Sequence, residues 1–135
     1  DHLRRLWAPR TERLVAAAKG LGKPVLFHCC GCQEPILPYL VDWDVDAVHP
    51  IQPGANDIYA MKRKYGTNLA LVGNVDVAKE LSYGSEEDTR RSVREHVDLL
   101  ADGAYVLCSS HSIIDSVIPG NYLAMCDEVQ KYGRY

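Results

Sequence analysis

Four short apolar runs, over residues 24–28, 45–51, 69–74 and 104–108, recur between longer segments of helical pattern, and this alternation limits the fold more than any other feature of the chain. The first run, Pro24-Val25-Leu26-Phe27-His28, is continuous, as in a strand buried on both faces. The first twenty residues carry a helical apolar stripe, Leu3, Leu6, Trp7, Leu14, Val15 and Ala18, ended by Gly20-Leu21-Gly22. Residues 35–41 suit a short helix, and 56–65 a helix stopped at Gly66. Residues 86–101 form a long helix with Ser85 as N-cap, Asp88 at the capping-box position, and Val93, Val97 and Leu100 as its buried stripe. The last helix covers 121–132 and stops at Gly133. Strands alternating with helices at this spacing imply right-handed βαβ crossovers and a parallel sheet.

No linker interrupts the pattern, so residues 1–135 read as one unit, and 47% hydrophobic content is enough to bury a core. A complete (β/α)8 TIM barrel takes about 250 residues, so the expectation is about half a barrel, with four parallel strands. The chain starts with Asp1 rather than Met and reads as a segment of something longer. In such folds ligands bind at the carboxyl ends of the strands. Here those ends carry His28 and Cys30, then His49 and Gln52, then Asn74 and Asp76, then Cys108 and His111.

The formal net charge of −3 argues against a nucleic-acid partner. The apolar runs fall far short of the roughly 18 residues needed to cross a bilayer, and the start lacks a signal-peptide core, so a cytoplasmic protein with no membrane partner is expected. Five cysteines is an odd number, and Cys29, Cys30 and Cys32 crowd too closely for an ordinary secreted disulfide framework. Metal or redox use fits better. The chain has no Gly-x-x-x-x-Gly-Lys loop, no Gly-x-Gly-x-x-Gly fingerprint and no Gly-x-Ser-x-Gly elbow, so nucleotide chemistry is unsupported.

In an extended chain, residues two apart point to the same side, so His28 and Cys30 can share one ion while Cys29 faces away. Zinc takes such ligands, and Gly31 lets the backbone turn after them. A third ligand must come from another strand end, and the fourth offers His111 or Cys108, although Cys108 also suits the last buried position of its strand. Asp76 suits either a substrate-orienting or metal-supporting carboxylate or the N-cap of a following helix. His49, held extended before Pro50, suits either a pocket-facing group or a hydrogen-bonded core histidine. His2, His96 and Cys126 read as helix residues without assigned chemistry.

The ordered set Pro24-Val25-Leu26-Phe27-His28-Cys29-Cys30-Gly31, Ile51-Gln52-Pro53, Lys64-Tyr65-Gly66, Gly73-Asn74-Val75-Asp76, Ser110-His111-Ser112-Ile113, Asn121-Tyr122-Leu123-Ala124-Met125 and Tyr132-Gly133-Arg134-Tyr135 resembles the uroporphyrinogen decarboxylase family. The resemblance spans the chain and implies the C-terminal half of that family's barrel. It implies one of two chemistries. Zinc-dependent corrinoid methyltransferases of the family bind zinc through a His-x-Cys pair and a later Cys, and move a methyl group between a corrinoid and a thiol or other acceptor. The metal-free decarboxylases act in porphyrin biosynthesis as lyases. His28-Cys29-Cys30 matches the His-x-Cys pair, and His111 stands where the methyltransferases carry cysteine. The resemblance thus implies zinc on His28, Cys30 and His111, with Asp76 and His111 in catalytic roles and Gln52 as a cofactor contact. A corrinoid protein or small-molecule partner is implied, and a homo-oligomer is one further expectation. A third reading is a non-catalytic half-barrel that must pair with another half, because open strand edges invite aggregation.

Overall fold

The structure, a computed structural model, describes residues 2–133; Asp1 and the closing Arg134 and Tyr135 of the Tyr-Gly-x-Tyr motif lie outside the described residues. A π-helical turn, Leu3–Trp7, runs into α1, Ala8–Lys19. There follow β1 (Leu26–His28), α2 (Leu37–Asp42), β2 (Ala47–His49), α3 (Ile58–Tyr65) and β3 (Ala70–Val72). A second π-helical turn, Val77–Leu81, precedes α4 (Glu86–Leu100), β4 (Tyr105–Val106) and α5 (Pro119–Tyr132). The strands are shorter than the apolar runs, trimmed at the start of β1 and at both ends of the other three. All four pair in parallel in the order β1-β2-β3-β4, as successive βα units require.

Register sorts the side chains into two faces. Phe27, Val48, Leu71 and Tyr105 lie side by side and pack under α1, α2 and α3, joined by Val15, Leu37, Leu40, Ile58 and Met61. Burying one such aliphatic side chain completely is worth about 1.5–3 kcal/mol. A second cluster, Val75, Val77, Leu81, Val93, Val117 and Met125, joins the π-helical turn after β3 to α4 and α5. The opposite face of the sheet is open, with Leu26 56% and Val106 53% exposed. This corrects the expectation of a first strand buried on both faces: it is the face that a closed barrel turns inward. Leu6 and Leu14 of the first helical stripe are also exposed, while Leu3, Trp7 and Val15 meet the core.

Local signals act where the sequence places them. Ser85 and Asp88 form a reciprocal capping box on α4, and Asp57 caps α3 by accepting from the Tyr59 and Ala60 amides. Beyond β3, Asn74 is buried and donates from Nδ2 to the Ile51 carbonyl at 2.6 Å, while its Oδ1 faces His96 Nε2 at 2.7 Å. His96 Nδ1 faces the Ser92 carbonyl at 2.6 Å. A helix residue without assigned chemistry is thus the tie between α4 and the strand ends.

Gly73 allows the same strand ends to approach. Its φ is +153°, and a Cβ there would collide with the Pro50 carbonyl oxygen. Gly73→Ala is expected to lower stability by at least about 2 kcal/mol. In a urea melt of the intact protein the midpoint falls with the slope unchanged. A midpoint equal to wild type would contradict the close approach.

Candidate functional site

The carboxyl end of β1 sets His28 and Cys30 side by side, with Cys30 Sγ 3.5 Å from His28 Nε2. The two-residue period of an extended chain accounts for this. Cys29, between them, turns the other way and packs against the core, where burial and the neighbouring Cys30 raise its pKa. Gly31, at φ +82°, makes the turn that follows. The loop is pinned from below: Gln33 is fully buried and donates from Nε2 to the carbonyls of Cys29 and His49, at 2.5 and 3.2 Å. Asn56 accepts from the Gln33 amide and donates to the Gly31 and Gln52 carbonyls. Gln33 Oε1 is buried and has no protein partner among the described residues.

The register His28↔His49 puts a second imidazole on the same face, with Nδ1 to Nδ1 at 2.8 Å. Burial, then the charges on His28 and His111, hold the His49 pKa below its ordinary value, against a hydrogen bond to the Ser109 backbone. Three histidines therefore border one stretch of rim. His49 takes both roles open to it, facing the rim and hydrogen-bonded. Cys108 is half-buried, its thiol donating to the Ser109 carbonyl at 3.2 Å, and burial pushes its pKa up to about 11. Cys32 is exposed.

The remaining candidates stand apart from this pair. Asp76 caps the π-helical turn by accepting from the Ala78 amide at 2.8 Å, and lines a cleft of about 370 Å³ with Asn74, His96, Asn56, Tyr59 and Glu95. The carbonyl of Gln52 anchors its loop by accepting from the Ala55 and Asn56 amides. Sequence reasoning missed Gln33, Asn56 and the His96–Asn74 tie. The Gly73-Asn74-Val75-Asp76 motif gave a signal by placing Asn74 and Asp76 at the strand end, and only Asp76 was given a role from it.

Among the described residues, no three His, Cys, Asp or Glu side chains are gathered closely enough to hold a metal ion. The pair alone has a suitable shape. With zinc–sulfur and zinc–nitrogen bonds near their usual lengths, a tetrahedral edge between a thiolate and an imidazole measures about 3.6 Å. His28 and Cys30 present 3.5 Å.

The profile of the uroporphyrinogen decarboxylase (URO-D) family matches residues 1–132. The chain belongs to the uroporphyrinogen decarboxylase family. A search of curated proteins finds no match. Among solved structures the fold is similar to that of a methyltransferase from Methanosarcina mazei, at 19% identity and a TM-score of 0.81. The alignment covers 99% of this chain and 38% of that one, so the chain spans well under half the length of this structural relative. The URO-D fold seen here is accordingly a half TIM barrel.

The raised pKa of Cys108 keeps its thiol protonated through neutral pH, whereas Cys32 is open to solvent. Iodoacetamide at mildly alkaline pH is expected to modify Cys32 well before Cys108, with the difference lost in denaturant; peptide mass spectrometry reads both. Equal rates in the folded protein would contradict the burial of Cys108.

Proposed function

We propose that the intact protein is a zinc-dependent methyltransferase of the URO-D family, moving a methyl group between a corrinoid and a thiol or other acceptor. The observation that carries this reading is the Cys30 Sγ–His28 Nε2 separation of 3.5 Å at a strand end, which suits two adjacent ligands. His111 is the third donor in this reading, as the position that follows the fourth strand and whose charge acts on His49 at the same rim. Completing the set brings the His111 loop onto the pair. Zinc, when bound, keeps a thiolate ready as nucleophile at neutral pH.

The chain's own residues do the rest. Gln33 and Asn56 hold the loop that carries Cys30, so the thiolate does not have to be ordered at binding. Gln52, at the mouth of the second strand, serves as the contact to the cofactor, and Asp76 orients whatever part of the substrate reaches its cleft. A corrinoid protein or a small methylated molecule is the partner class.

Metal analysis of the full-length protein checks this reading. Close to one equivalent of zinc is expected, with most of it lost in His28→Ala and Cys30→Ser. Less than about a tenth of an equivalent in wild type would reject the zinc site.

One observation favours a second reading, a metal-free decarboxylase of porphyrin biosynthesis. His28, His49 and His111 give the rim three imidazoles, which suit a substrate rich in carboxylates, with His111 contacting a carboxylate and assisting protonation. Release of CO2 from uroporphyrinogen by the intact protein supports it, and none rejects it.

A further inference from the structure

Both ring nitrogens of the buried His96 meet oxygen atoms. Nδ1 lies 2.6 Å from the Ser92 carbonyl, and Nε2 lies 2.7 Å from Asn74 Oδ1. A carbonyl oxygen only accepts, so Nδ1 carries a hydrogen. The state of Nε2 turns on Asn74. That side chain is buried as well, and its Nδ2 donates to the Ile51 carbonyl at 2.6 Å. Oδ1 is therefore the atom turned toward His96, and an oxygen at that distance calls for a hydrogen on Nε2.

No neutral arrangement serves all three contacts. With Nε2 bare, its lone pair faces Oδ1. Turning the Asn74 amide over lets it donate to Nε2, but sets its oxygen against the Ile51 carbonyl and only moves the clash. Turning the imidazole over puts ring carbons where the nitrogens stand, well inside the roughly 3.3–3.6 Å of a C–H···O contact. Only the doubly protonated ring donates at both ends.

The surroundings suit a cation. The cleft beside His96 gathers Asp57 from the start of α3, Asp76 and Glu80 from the π-helical turn after β3, and Glu95 from α4 itself. Against them stands Lys79, which pairs with Glu80. A negative field of this kind favours a charged ring. The neighbouring Tyr59 ring, 6.1 Å away, feels the same field: burial, then the charges on Glu95 and Asp57, raise the pKa of its phenol. Where α4 packs on α5, the carboxylates Asp127 and Glu128 are taken up by Arg90 and Arg94.

We infer that His96 is an imidazolium and a positioning residue, which clamps Asn74 to the Ser92 carbonyl of α4 and so fixes the ends of β2 and β3 where the Gln52 and Asp76 loops begin. The clamp holds while the ring keeps both hydrogens. It is lost as pH rises through the ring's titration, because a bare Nε2 repels Oδ1. The consequence for the cofactor and substrate contacts rests on the proposed function above, while the charge of the ring does not.

Two measurements on the full-length protein test this. At pH 7, ¹⁵N spectra of histidine-labelled protein, assigned by the signals missing in His96→Gln, should show both His96 nitrogens protonated. One protonated nitrogen overturns the inference. Hydrogen exchange then reads the clamp in wild type, as protection corrected for the intrinsic effect of pH. Protection of the Asn56 and Val75 amides, which donate to the Gln52 and Cys108 carbonyls, should fall about tenfold or more as the ring loses a proton. That of Leu71, which donates to the Ala104 carbonyl within the sheet, should hold. Unchanged protection at Asn56 and Val75, or an equal loss at Leu71, overturns the positioning role. Should wild type bind no zinc, the proposed function fails and these two readings still decide the charge and the clamp.

Discussion

The pairing of β1 with β2 in the register His28↔His49 is the constraint on which the rim depends. A slip of one residue would exchange the two faces of β1, sending His28 into the helix-covered core and Phe27 onto the open face. The register is held from the core side. Phe27, Val48 and Leu71 line up under the helices, and this alignment buries Val48 and Leu71 completely and Phe27 in part. Hydrophobic burial therefore sets the position of polar groups that contribute little to stability themselves.

A second set of bonds carries that order past the strand ends, where the ladder stops. Gln33 gathers the Cys29 and His49 carbonyls, and Asn56 reaches the Gly31 carbonyl, so the Cys30 loop is tied to β1, β2 and the entry to α3 together. Asn74 performs the same service between Ile51 and α4. Each such bond contributes about 0.5–1.5 kcal/mol net, and leaving its buried partner unsatisfied costs more.

Much of this was legible in the sequence, and the division follows range. The alternation of apolar runs and helical segments, the Ser85–Asp88 capping box and the stop at Gly66 are local, and they act where the residues suggest. The shared side of His28 and Cys30 is local too. What escaped depends on contacts between distant segments. That His49 meets His28 follows from register across 21 residues, and that His96 meets Asn74 follows from how α4 docks on β3. The open face at Leu26 escaped for a related reason: a continuous apolar run tells that a strand is wanted in a core, and cannot tell which of its faces this half of the barrel supplies.

Zinc K-edge X-ray absorption of the full-length protein addresses the central claim most directly. The account predicts a first shell of one sulfur with at least two imidazole nitrogens, from Cys30, His28 and His111. A shell with two sulfurs, or with none, would contradict it.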